Sequence, residues 1–265
     1  MPLCSTDDGC RIYFARQGEG LPCLMIPGLG GEGAFWNAAA LHMPEGLELI
    51  LMDHRGTGGS DRPDGEYSIP RIAQDARNLL DALDIASAVV IGHSTGGMVA
   101  QTLVTSVPDR VRALVLSGTW ARVDTRFRRM FEAREALLRD GGAISHQKLT
   151  QALGYPASWI EANRTALDAE LLAADERLQP RAIHLARLQM LCRYDVYEAL
   201  HGISKPTLVI GAPDDGLIPF SASRDLASSI PGARLEALEG GHFFPRTRAG
   251  DYARLIVDFL QDLPL

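Results

Sequence analysis

The chain has 265 residues, of which 46% are hydrophobic and 22% charged, and its formal net charge is −7. These values suit one large domain, or one domain carrying an insertion, and exclude a disordered chain. The negative charge argues against nucleic acid or an anionic membrane as partner. The first stretch, "MPLCSTDDGCRIYF", has neither a basic start nor an apolar run, so it does not read as a secretory signal. Apolar runs then predict strands at 11–16, 22–26, 47–52, 87–92, 111–117, 206–211 and 233–238. Helical patterns fall at 34–42, 69–84, 95–106, 220–229 and 248–262. This alternation implies an α/β domain whose mostly parallel sheet is covered on both faces.

From about 122 to 200 the rhythm changes to helical patterns alone, with breakers at Gly141–Gly142, Gly154 to Pro156 and Pro180. The expected organisation is a core domain of 1–121 and 201–265, with 122–200 inserted as a helical cap. No apolar run is long enough to span a bilayer, so a cytoplasmic protein is expected. Cys4, Cys10, Cys23 and Cys192 have neither zinc-site spacing nor the density of a disulfide framework, and are expected to be free thiols.

Two glycine-rich stretches raise competing readings. "PGLGGEGAFW", at 27–36, contains Gly28, Gly30 and Gly33 as G-x-G-x-x-G, with Asp53 twenty residues further on. That matches a dinucleotide fingerprint. Its context fails, because a strand precedes it and because Asp53 opens a second glycine loop, "DHRGTGGS". "VVIGHSTGG", at 89–97, carries G-x-S-x-G as Gly92, His93, Ser94, Thr95 and Gly96, with a strand before it and a helix after it. A turn this tight demands small residues two positions either side of the serine. It lifts the Ser94 hydroxyl above the strand ends and leaves the Thr95 amide at a helix N-terminus, where an oxyanion can be held.

A serine hydroxyl needs a base. Of seven histidines, His242 in "LEGGHFFP" follows the last predicted strand, where loops line the same sheet edge as Ser94. "LVIGAPDDGLIP" follows the preceding strand and offers Asp214 and Asp215 as the orienting acid, with Asp215 preferred. The order Ser94, Asp215, His242 is one of three known triad orders.

These motifs, "PGLGG", "DHRGTGGS", "GHSTGG", "DGLIP" and "GGH", occur in register over nearly the whole chain, and the sequence resembles the α/β-hydrolase superfamily. The resemblance implies Ser94 as nucleophile, His242 as general base and acid, Asp215 as its orienting carboxylate, and an oxyanion hole from the amides of Leu29 and Thr95. It implies that 122–200 caps the site and that Trp36 and Trp120 could line its pocket. The segment 117–160 is similar to pyrimidine-catabolism hydrolases of aminoacrylate or carbamate, and the whole pattern to 3-oxoadipate enol-lactonases. The expected activity is hydrolysis of a small carboxylic ester or (enol-)lactone, with no metal or organic cofactor required. The alternatives are amide, carbamate or C–C bond hydrolysis, or a ligand receptor with little turnover; an NAD-dependent oxidoreductase would leave the serine, histidine and aspartate unexplained. Arg122, Arg126, Arg128, Arg129 and Arg134 are candidate partners for a carboxylate, although a solvated helix face accounts for most of them.

Overall fold

The computed structural model describes residues 2–178 and 180–263. Eight strands form one sheet: β1 (Leu3–Ser5), β2 (Arg11–Gln17), β3 (Gly20–Ile26), β4 (Gly46–Met52), β5 (Ala88–His93), β6 (Val111–Ser117), β7 (Thr207–Gly211) and β8 (Arg234–Ala237). Their order is β1-β2-β4-β3-β5-β6-β7-β8. The β1–β2 and β2–β4 pairs are antiparallel and every other pair is parallel.

The continuous apolar runs follow from burial on both faces. Along β3, Leu24 and Ile26 face one core while Cys23 and Met25 face the other. The same alternation divides Val90 from Val89 and Ile91 in β5, and Leu114 and Leu116 from Ala113 and Val115 in β6. Helices α2 (Ile69–Ala82) and α3 (Thr95–Ser106) cover the first face through residues such as Ile72, Leu79 and Leu103. The second face is covered by α11 (Ala249–Gln261) through Tyr252, Ile256 and Phe259, and by Trp36 beside the short α1 (Asn37–Ala40).

Between β6 and β7 the described residues form helices only. They are α4 (Thr125–Gly154), α5 (Ala157–Ala162), α6 (Arg164–Leu172), α7 (Ala174–Arg177), α8 (Arg181–Met190) and a 3₁₀ turn at Tyr197–Gly202. Helix α4 bends at Gly142, whose φ of 81° departs from helical geometry. It packs against α5 to α8, and buried residues of this helical block, such as Phe131, Leu138 and Leu188, join the core of the first face. After β7 come α9 (Phe220–Ser229) and, past β8, α10 (Phe244–Thr247).

Most expected elements stand within a residue or two of their predicted ends. The expected helix at 34–42 is instead a 3₁₀ turn, Gly33–Trp36, running into one helical turn. All four cysteines are free. None of the described helices is long and apolar enough to cross a membrane.

Candidate active site

The turn from β5 to α3 holds Ser94 at φ 53° and ψ −118°, a region costly for any residue with a side chain. The surrounding contacts over-determine it. The Ser94 amide donates to Ser117 O at 2.9 Å, and Ser94 O accepts from Thr119 Oγ1 at 2.8 Å and from the Gly97 amide at 2.9 Å. Glycine is required on either side for a clear steric reason. A Cβ on Gly92 would overlap the backbone of Gly96 and Gly97, and one on Gly96 would overlap the Ile26 and Pro27 carbonyl oxygens.

His242 and Asp215 meet in the loops that follow β8 and β7. The His242 Nδ1 lies 2.7 Å from Asp215 Oδ2, with both side chains almost wholly buried. Asp215 Oδ1 accepts from the Leu217 and Ile218 amides, each at 2.8 Å, which fixes the carboxylate plane. Asp214 turns away and accepts from the Gly240 and Gly241 amides at 3.0 Å, bracing the loop that presents His242. The neighbouring aspartates thus have separate tasks, one on the imidazole and one on its loop.

His93 faces a different way. Its ring stacks on Phe35 at 5.0 Å and its Nδ1 lies 3.2 Å from Ser117 Oγ. Burial, reinforced by His242 with ring centroids 4.9 Å apart, drives its pKa far below the ordinary histidine value and keeps it neutral.

Ser94 and His242 border one cavity of about 360 Å³, a size suited to a small metabolite. Its wall combines the loop after β3, including Gly28 and Leu29, with residues of the helical block such as Phe131, Arg134 and Leu188. Gly28 stands so close that a Cβ there would come within 3.3 Å of Ser94 Cβ. The amides of Leu29 and Thr95 have no hydrogen-bond acceptor among the described residues, and Thr95 opens α3.

Trp36 and Trp120, expected at the pocket, are not in this wall. Trp36 is fully buried in the second core, stacked on Tyr252 at 6.0 Å. Trp120 packs on Phe127 at 4.5 Å and borders a separate, smaller cavity. Both side chains are buried against aromatic neighbours, which leaves no face of either for the cavity. The cavity's aromatic lining comes instead from Phe35, Phe131, Tyr155 and Phe243.

Of the five candidate arginines, Arg122, Arg126, Arg128 and Arg129 are exposed, whereas Arg134 is buried in the cavity wall. Arg134 was legible in principle. It shares one face of α4 with Phe127, Phe131 and Leu138, at spacings of a buried helical stripe. Burial lowers its pKa to about 10. Arg187 of α8, absent from the sequence reading, is also fully buried and bridges the two parts of the chain. Its Nη1 donates to Arg55 O at 2.6 Å and its Nη2 to Leu29 O at 2.7 Å.

The apparent dinucleotide signature has another job. Asp53 accepts from the Gly33 amide at 2.6 Å and the Gly59 amide at 2.8 Å, so its carboxylate joins the two glycine loops. Arg55 of the second loop forms a paired contact with Asp75, both bonds at 2.7 Å. Among the described residues, no group of three histidine, cysteine or acidic side chains is placed to hold a metal ion.

Sheet order, serine turn and His–Asp pair together define a hydrolase architecture. The chain belongs to the alpha/beta hydrolase fold family, whose model matches residues 22–245. It is 35% identical over 240 residues to a Caulobacter vibrioides protein named "Putative carbamate hydrolase RutD", covering 90% of this chain and 89% of that one. A Klebsiella pneumoniae protein of the same name is 35% identical over 244 residues, covering 91% and 92%. Among solved structures, the enol-lactonase from Burkholderia xenovorans LB400 superposes with a TM-score of 0.90 at 24% identity, covering 98% of this chain and 100% of that one.

Proposed function

We propose that the protein is a serine hydrolase that cleaves a small carboxylic ester or (enol-)lactone through an acyl-enzyme on Ser94. The observation that carries this reading is the imidazole of His242, paired with Asp215 at 2.7 Å, bordering the same cavity as a serine held at φ 53°. With its Nδ1 proton donated to Asp215, His242 keeps a basic Nε2 for the serine hydroxyl. Ser94 Oγ then attacks the carbonyl, and the Leu29 and Thr95 amides receive the oxyanion. His242 returns the proton to the leaving oxygen, and water activated by the same imidazole releases the acid. Side chains, amides and water are all that these steps need. Residues 122–200 act as the cap, closing the cavity over Ser94 and excluding bulk water.

A second reading is hydrolysis of a carbamate or amide, favoured by the name carried by relatives that align over nine-tenths of the chain. The same oxyanion logic serves both; they differ in the leaving group that His242 must protonate. A panel of short-chain esters, enol lactones, carbamates and amides, run on wild type and on Ser94→Ala, separates them. The first reading expects the highest kcat/KM among the esters or lactones, lost in Ser94→Ala. A carbamate or amide at the head of the panel would replace it with the second, and turnover retained by Ser94→Ala would overturn both.

A further inference from the structure

The helical block brings to the cavity a guanidinium that lacks an anion. Arg134 is 4% exposed and forms part of the wall that also contains Ser94 and His242. Its Nη2 donates to Thr150 Oγ1 at 3.0 Å and lies 3.5 Å from His146 Nε2. Its Nε and Nη1 have no acceptor among the described residues. Because His146 can receive from Arg134 only on Nε2, its own proton sits on Nδ1, which also has no acceptor among the described residues. Two residues of the cavity wall, Arg134 and His146, therefore hold three buried donor atoms without an acceptor, and no acidic side chain among the described residues pairs with Arg134.

The other arginines of the cavity are different. Arg177 pairs with Glu32 at 3.2 Å, and Arg246 with Glu170 at 3.4 Å. Three arginines and two glutamates thus border the space, leaving one positive charge in excess at Arg134. The Phe131 ring 5.5 Å below the guanidinium provides only a weak counterweight. Leaving a buried cation unpaired is costly, and a planar, two-oxygen monoanion is the group that matches both the geometry of a guanidinium and the single excess charge. A dianionic phosphate would leave a negative charge unanswered.

We infer that Arg134, assisted by His146, is a binding subsite for a carboxylate that the substrate carries away from its scissile carbonyl. This rests on the hydrolytic reading of Ser94 and narrows it to monoanionic substrates with a carboxylate tail. Substrate specificity then comes from α4, while the chemistry comes from the sheet.

The test compares 4-nitrophenyl half-esters of dicarboxylic acids with neutral 4-nitrophenyl esters of equal chain length, in wild type, Arg134→Met and Arg134→Lys. Wild type should prefer the half-ester. In Arg134→Met the ratio of the two kcat/KM values should fall about 100-fold, the scale of a lost charged hydrogen-bonding partner. Arg134→Lys should recover part of the ratio. A merely structural role would lower both substrates together and leave the ratio unchanged, which would overturn the assignment; so would a wild type without preference. Calorimetric titration of adipic acid monoamide and hexanamide into Ser94→Ala reads the subsite without turnover. Selective binding of the acid, lost on adding Arg134→Met, would sustain the subsite even if no ester were hydrolysed. Equal binding of both amides would refute it while leaving the hydrolytic reading intact.

Discussion

Asp215 Oδ2 lies 2.7 Å from His242 Nδ1, while the adjacent Asp214 reaches the amides of Gly240 and Gly241 in the loop that carries that histidine. Two consecutive carboxylates therefore govern one imidazole, one through its ring and one through its backbone. Substitution should separate them. Asp215→Asn removes the acceptor for the Nδ1 proton and should lower kcat about 10³- to 10⁴-fold with little loss of stability. Asp214→Ala should cost about 1 kcal/mol of stability and less than about tenfold in kcat. Steady-state kinetics on a chromogenic ester, with urea melts of both variants, checks the division.

The glycines of the two loops differ in what they protect. Gly92→Ala and Gly96→Ala place a Cβ into backbone atoms that cannot retreat, and should prevent accumulation of folded protein. Gly30→Ala meets no atom within 4 Å and should fold as wild type, but its methyl enters the cavity and should raise KM. Gly28→Ala should fold but lose activity, because its methyl presses on Ser94 Cβ. Soluble yield, circular dichroism and ester turnover of the four variants give the ranking; a well-folded Gly96→Ala would contradict it.

The sequence was most readable where local and tertiary demands coincide. Strands buried on both faces, such as β3 and β5, appear as unbroken apolar runs, and the serine turn appears as glycines because no other residue fits. Asp215 and His242 follow from the order of loops along one sheet edge. The short edge strand β1 was missed because in three residues only Cys4 is buried. Trp36 and Trp120 lie in packed cores, because a resemblance in motifs does not say whether a large aromatic side chain faces a cavity or a core. Arg134 stands undistinguished among five candidate arginines, although its spacing from Phe127, Phe131 and Leu138 places it on the buried stripe of α4. Arg187 also stands on a buried stripe, with Ile183 and Met190, but pattern does not show its partners, which are carbonyls 132 and 158 residues away.

Those two carbonyls give Arg187 a measurable weight. It ties α8 to the loop bearing Leu29 and to the turn at Arg55, and burial lowers its own pKa to about 10. Arg187→Met leaves both acceptors buried without donors and should cost about 3 kcal/mol. Leu29 also shifts, so kcat should fall more than KM rises. Denaturant melts paired with kinetics on one ester provide the measurement.

Stability should decline with acid through histidine as well as carboxylate titration. Burial is the main reason the pKa of His146 falls to about 3 and that of His184 to about 4, against 6.5 for an ordinary histidine. The unfolded chain therefore binds protons below pH 6.5 that the native protein refuses. Their contribution is fully present above that pH and is lost progressively as pH falls toward 3 to 4. Urea midpoints at pH 7.5, 6 and 5 should decrease in that order, with a shallower fall in the double variant His146→Gln, His184→Gln.

The central claim is that Ser94 is the nucleophile. Intact mass and peptide mapping after treatment with a fluorophosphonate test it most directly. The account predicts one adduct per chain, on Ser94, formed in step with loss of ester turnover and absent from Ser94→Ala. A stoichiometric adduct on another residue, or an inactivated wild type with Ser94 unmodified, would contradict it.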